Sequence, residues 1–180
     1  MRRPKFKNII LVLAIVTITL LIIYKYPEIK ESVTGFPGKV LPYNGQTVKP
    51  LKFYTVASNY GYRLDPFTQE EGFHNGIDLV TLQGIAVKAA KDGNIVRMEY
   101  DPTGYGNWIE IQHPDGTFTR YAHLSAFGNV TIEQNIGAGS VIGAVGSTGR
   151  STQAHLHFEL GDKDGNSVDP SSLLGIPNTG

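Results

Sequence analysis

Four of the chain's five histidines fall in three short motifs. The first is Ala154-His155-Leu156-His157-Phe158-Glu159-Leu160. In an extended strand alternate residues face opposite ways, so His155, His157 and Glu159 line one face and Leu156, Phe158 and Leu160 the other. Imidazoles at that spacing stand about 6–7 Å apart, so one can bind a metal while the other works beside it. The second motif is His74-Asn75-Gly76-Ile77-Asp78 and the third Tyr121-Ala122-His123-Leu124-Ser125. Taken singly, each also reads as a hydrogen-bonded structural histidine; the set points to a metal centre. Zinc takes neutral imidazole nitrogens and tolerates a carboxylate. A catalytic zinc site uses three protein ligands and leaves a position for water, whose pKa falls to about 7. His74, Asp78 and one of the 155/157 pair supply that set, leaving the others for acid–base work. Spacing alone does not choose between His155 and His157.

The elements that must position these residues are short strands. All 21 glycines lie at or after Gly35. Asp92-Gly93, Asp115-Gly116 and Asp164-Gly165 mark tight turns. Ile95–Tyr100 and Trp108–His113 alternate, the latter with Ile109 and Ile111 against Glu110 and Gln112. Arg120–Leu124 and Val141–Val145 are further candidates, and no stretch beyond residue 30 sustains a long helical period. The expectation is an all-β fold, an antiparallel β-sandwich or open barrel, over residues 53–180. Trp108, Phe118, Phe158 and the Ile/Val positions are its expected core.

The N-terminus has a different character. Ile9–Tyr24 is uncharged, with fourteen of sixteen residues apolar and two threonines. That is just enough for a membrane span when Asn8, Tyr24 and Tyr26 sit at the interfaces. Arg2, Arg3, Lys5 and Lys7 in the stub 1–8 hold that end in the cytoplasm by the positive-inside bias. A cleaved signal peptide is the competing reading, but Ile-Ile-Tyr-Lys-Tyr-Pro offers no small-x-small cleavage site. Residues 25–52, punctuated by Pro27, Pro37, Pro42 and Pro50, read as a linker, or over Val40–Leu51 as an edge extension of the domain. The expected placement is a single-pass cytoplasmic-membrane protein with an extracytoplasmic domain. Sixteen basic and sixteen acidic residues leave no excess for a polyanion, so nucleic acid is not an expected partner. Without cysteine there is no thiol catalysis, disulfide framework or sulfur-ligated zinc.

The three motifs, in this order, resemble the lysostaphin/LytM-type zinc metallopeptidases, which cleave peptide bonds in bacterial peptidoglycan. Ser58-Asn59-Tyr60-Gly61-Tyr62-Arg63-Leu64-Asp65-Pro66, Gly104-Tyr105-Gly106-Asn107 and Gly146-Ser147-Thr148-Gly149 are similar to that family's intervening segments. The resemblance spans roughly residues 55–170 and does not cover the N-terminal run. It implies that His74, Asp78 and His157 bind one zinc ion, with His155 and His123 as the catalytic pair flanking a zinc-bound water. It also implies an antiparallel sheet with an open groove, and stem or cross-bridge peptides of peptidoglycan as substrate. The choice of His157 over His155 comes from the resemblance. Two rival readings are a catalytically silent envelope module on the same scaffold and a histidine phosphocarrier domain; the intact ligand set argues against the first and the outward-facing anchor against the second.

The remaining residues have open or ordinary readings. Glu159 shares the histidine face, as an acceptor behind a ligand or as a solvated side chain. Arg63 either anchors a substrate carboxylate or pairs with Asp65. His113 is expected at a solvated strand end. Tyr60, Tyr62, Phe73 and Tyr105 flank the motifs, with core or rim packing as their default.

Overall fold

Alternating segments separated by glycine turns become antiparallel strands here, because one face of each is apolar and needs cover. The computed structural model describes residues 46–177. The stub 1–8, the apolar run 9–24 and residues 25–45 of the expected linker lie outside the described residues. In chain order the strands are β1 (Thr55–Ser58), β2 (Gly61–Leu64), β3 (Glu71–His74), β4 (Ile77–Val80), β5 (Ala86–Lys88) and β6 (Gly93–Asp101). Then come β7 (Gly106–Gln112), β8 (Phe118–Phe127), β9 (Asn135–Ile136), β10 (Val141–Val145), β11 (His155–Gly161) and β12 (Ser167–Val168). A one-turn helix, α1 (Ser171–Leu174), follows. Among the described residues no helix is long and apolar enough to cross a membrane.

Ten strands form one sheet in the order β1-β4-β11-β8-β7-β6-β9, with β10 pairing β5 and β8, and β12 pairing β11. The hairpin β2–β3 forms a separate two-stranded sheet. Strand β11 is central, pairing β4 on one side and β8 on the other. One face of this region carries Ile77, Leu79, Ile109, Ile111, Tyr121, Leu156 and Phe158, all fully buried. Val87, Ile142 and Val145, from the β5–β10 branch, join the same apolar cluster. Each such side chain contributes about 1.5–3 kcal/mol by leaving water. The opposite face of β11, β4 and β8 carries the polar residues and is the functional face.

This packing bears on three expectations. Trp108 is buried, but on the functional face, where it stacks near Tyr105 and the Arg120 guanidinium. Phe118 is half-buried and covers Gly161, whose missing side chain makes room for its ring. The third concerns the end of the expected linker. Thr47 bridges Lys91, the Val48 N–H donates to the Ala90 carbonyl (2.8 Å), and Leu51 is fully buried. These last residues before β1 lie along the domain as the edge extension.

His113 differs from its expected place at a solvated strand end. It is 3% exposed. Its Nδ1–H donates to the Asp92 carbonyl (2.8 Å), and Nε2 lies 3.0 Å from Thr119 Oγ1. The chain folds back at the Asp-Gly turn 115–116, with the His113 N–H donating to the Thr117 carbonyl (2.8 Å), and the ring fills a buried position that a turn residue seldom occupies. Burial pushes its pKa below the ordinary 6.5. The unfolded chain therefore binds this proton more readily than the folded one. His113 supports full stability above about pH 6.5, and that support falls as pH drops toward its folded pKa. Denaturation midpoints measured between pH 7.5 and 5.5 are expected to decline less steeply in His113→Gln than in the wild type. Equal slopes would show that His113 does not carry this linkage.

Candidate functional site

The register of β11 assembles the site. Its pairing sets His157 opposite Asp78 on β4 and Ala122 on β8, and His155 opposite Val80. His74 ends β3 and enters across the Asn75-Gly76 turn. That turn lies so close to β11 that a Cβ on Gly76 would stand 2.5 Å from the Phe158 carbonyl oxygen and 3.0 Å from His157 Cε1. Only glycine lets the His74–Asp78 segment seat against the β11 histidines.

Three donor atoms converge there. His157 Nδ1 is 2.8 Å from Asp78 Oδ1 and 3.0 Å from His74 Nε2, and His74 Nε2 is 3.2 Å from Asp78 Oδ1. His155 Nε2 stands further off, 3.5 Å from Asp78 Oδ1. Tetrahedral zinc with ligands at about 2.0–2.1 Å requires ligand atoms about 3.3–3.4 Å apart. The trio His74, Asp78 and His157 fits such an ion with a few tenths of an ångström of adjustment.

The outer nitrogens fix the tautomers. His74 Nδ1–H donates to the Asn59 carbonyl (2.7 Å), and His155 Nδ1–H to the Gln153 carbonyl (2.8 Å). His123 Nδ1–H donates to the Thr148 carbonyl (2.8 Å). In all three, Nε2 turns its lone pair inward. His157 is reversed: Nε2–H donates to Glu159 Oε1 (3.0 Å), and Nδ1 faces the trio. Lone pairs and a carboxylate aimed at one point need a cation between them. With a proton in an ion's place, the pKa shifts show the same preference for positive charge at this point. Burial alone would lower His157, but carboxylates on both its nitrogens outweigh that and push it up to about 9. Burial opposes ionisation of Asp78, yet the His157 and His74 nitrogens that face it, when they carry a proton in an ion's place, hold its carboxyl well below the usual carboxylate range.

His123 reaches the functional face by a bulge. In a regular strand it would share a face with Tyr121, which is fully buried in the apolar cluster. Between the pairs Asn107↔Leu124 and Ile109↔Tyr121 the register shifts, so Ala122 and His123 together oppose Trp108. His123 takes a left-handed backbone (φ 61°) at that point, and its N–H donates to the Tyr105 carbonyl (2.8 Å). Such a conformation costs a non-glycine residue about 1–3 kcal/mol. It turns the ring onto the histidine face, with its centroid 4.7 Å from that of His155. The Gly146–Gly149 turn secures it. Thr148 Oγ1–H donates to the Leu124 carbonyl (2.8 Å) and Thr148 Oγ1 accepts the Asn107 N–H (2.9 Å), while Gly106 and Gly149 pack backbone to backbone. Burial, reinforced by the His155 and His157 imidazoles, lowers the His123 pKa to about 4. His123 is therefore neutral near pH 7.

Beneath His157 lies a charged network that sequence reading glimpsed only through Glu159. Glu159 is 2% exposed, so it is a buried acceptor behind His157 and not a solvated side chain. Besides His157, it accepts the Tyr105 hydroxyl (2.7 Å) and Arg120 Nη1–H (2.6 Å). Arg120 also donates through Nε and Nη2 to Glu110 Oε2, at 3.1 and 2.6 Å. Burial, aided by the Glu159 charge, raises the Tyr105 pKa to about 12, so it remains a donor. The alternation Glu110/Gln112 had signalled a polar face at β7, but nothing local showed Arg120 crossing to join both carboxylates.

An open groove of about 250 Å³ lies over the histidines, with Phe67, Phe73, Arg63 and Arg150 in its walls. Asp65 is taken bidentately by Arg150 (2.7 and 2.8 Å), so Arg63 does not pair with it. Phe73 is half-exposed between Tyr60 and Tyr62, while Tyr62 is 77% exposed.

Comparison with known proteins gives the same picture. Residues 72–170 match peptidase family M23. The chain is 43% identical over 137 residues to the DD-carboxypeptidase/endopeptidase Mpg of Neisseria meningitidis serogroup B, covering 76% of this chain and 31% of Mpg. It thus spans about a third of the length of that relative. Among solved structures, a zinc-containing peptidase from Vibrio cholerae superposes with TM-score 0.64 at 31% identity, covering 73% of this chain and 40% of that one. The catalytic domain of lysostaphin from Staphylococcus simulans gives 0.61 at 34% identity, covering 68% of this chain and 92% of that domain. The family match takes in more than half the chain and every histidine of the converging set, and the sheet that carries them has the fold of its peptidases; the chain belongs to peptidase family M23.

Proposed function

We propose that this chain is a zinc metalloendopeptidase that hydrolyses peptide bonds in peptidoglycan cross-links. In this reading His74, Asp78 and His157 hold the zinc, and His155 and His123 carry the proton chemistry. The inward-turned tautomers carry the proposal: each imidazole has its outer nitrogen committed and its inner lone pair free. When bound, zinc supplies Lewis-acid polarisation of a carbonyl and makes water a nucleophile near pH 7. One of His155 and His123, both with Nε2 lone pairs toward the groove, accepts the proton released as water attacks. Once protonated, the same nitrogen becomes a donor to the developing oxyanion or the leaving amine. Glu159 holds the His157 ring in its tautomer throughout. The name of Mpg, a DD-carboxypeptidase/endopeptidase, supports a substrate containing D-amino-acid bonds.

The same reading places the domain outside the cytoplasmic membrane, tethered by Ile9–Tyr24, on the strength of that apolar run and the cationic stub before it. The test uses the zinc-loaded full chain and intact peptidoglycan, with mass spectrometry of the soluble fragments. Fragments that identify one cleaved peptide bond are expected. Zinc bound at one equivalent with no fragment released would favour the silent module instead.

A further inference from the structure

The groove contains one guanidinium whose donors are largely unspent. Arg63 lies on β2, and its only described polar contact is Nη2 to Asp78 Oδ2 at 3.5 Å. That distance is too long for a strong charge-assisted bond, which closes to about 2.7–2.9 Å. Asp78 pairs with it only at that distance, and its Oδ1 faces the nitrogens of His74, His155 and His157. The other carboxylates of the groove are committed elsewhere, Asp65 to Arg150 and Glu159 to Arg120. Arg150 is itself spent, with both Nη atoms on Asp65 and its guanidinium 4.4 Å from the Phe67 ring centroid. Arg63 keeps about a third of its side-chain surface exposed. Its cross-strand partner is Gly72, and a Cβ built there would meet nothing within 4 Å. The fork therefore faces open groove, one carboxylate away from the converging imidazoles.

We propose that Arg63 forms a carboxylate-binding subsite, taking a carboxylate of the peptide substrate about one residue from the bond cleaved. An arginine fork matches a carboxylate bidentately, and a residue spans about 3.8 Å, which suits a group so near the reacting centre. The proposal rests on the peptidase reading but is tested by binding alone. The carboxylate can come from the C-terminus of the peptide or from an acidic side chain, and the probes separate these sources. They are acetyl-D-Ala-D-Ala, its C-terminal amide, and acetyl-D-Ala-D-Glu amide, titrated calorimetrically into the chelator-treated full chain.

Wild type is expected to bind at least one of the two carboxylate probes about 10- to 100-fold more tightly than the uncharged amide. Whichever probe gains identifies the source. Arg63→Gln is expected to abolish that ratio while leaving the binding of the uncharged amide and the zinc content unchanged. A ratio that survives in Arg63→Gln, or no ratio in wild type, overturns the subsite. Equal weakening of all three probes together with zinc loss overturns it too, because Arg63 would then only position Asp78. A chain that cleaves no peptidoglycan yet shows the Arg63-dependent ratio retains the subsite and loses the peptidase reading.

Discussion

Alanine in place of His157 or Asp78 is expected to leave the purified chain without zinc and without activity. Alanine in place of His155 or His123 is expected to keep the zinc and lower kcat by about 10²- to 10⁴-fold. The asymmetry follows from distances. His74, Asp78 and His157 present atoms 2.8–3.2 Å from one another, close to what one tetrahedral ion needs, so removing any one leaves two donors. His155 reaches Asp78 only at 3.5 Å, and the described contact of its Nε2 is that one. His123 is farther round the groove, neutral near pH 7, and aims a lone pair inward. Metal analysis after dialysis, alongside turnover, separates the two classes. Zinc loss in His155→Ala with zinc retained in His157→Ala would reverse the roles of the two histidines. Full turnover by His123→Ala would remove it from the reaction.

What the sequence revealed and what it hid divide along the range of the interactions. The alternation in 154–160 is local, so the face shared by His155, His157 and Glu159 could be read directly, as could the strands around Trp108 and Val141. Which of the two β11 histidines meets His74 depends on the register against β4 and on the Gly76 approach. Both are long-range features without a local signature. His123 shows the limit most clearly. Strict alternation would send it to the core face with Tyr121, and only the bulge, at a residue that is not glycine, brings it round. His113 failed for a related reason. A Pro-Asp-Gly turn after it suggests solvent, and the burial comes from Asp92 and Thr119, distant in sequence or across a hairpin.

Arg120→Met is expected to destabilise the fold by about 3–5 kcal/mol, the range for breaking a buried charge pair and leaving its partner unpaired. Methionine preserves much of the volume and the apolar stem, so the loss would be electrostatic. Glu159 (2% exposed) would lose its 2.6 Å bond to Arg120, and Glu110 (8% exposed) would lose bonds at 2.6 and 3.1 Å. Arg97, at 3.8 Å from Glu110 and half-exposed, cannot replace them. For a chain of this size the change amounts to a fall in Tm of about 6–20 °C. The same substitution leaves Glu159 held only by His157 and Tyr105, loosening the partner that orients the His157 ring, so zinc affinity is expected to fall about 10- to 100-fold. The double variant Arg120→Met/Glu159→Gln separates charge from packing. Glutamine keeps an oxygen to accept His157 Nε2–H but removes the more deeply buried of the two unpaired charges, so the double variant is expected to be more stable than Arg120→Met alone. Chemical denaturation of the three proteins decides the matter. An unchanged midpoint in Arg120→Met, or a double variant no more stable than Arg120→Met, would mean that this network contributes packing and little else. If the expected order holds, the unpaired charge of Glu159 behind His157, and not lost packing, carries the destabilisation.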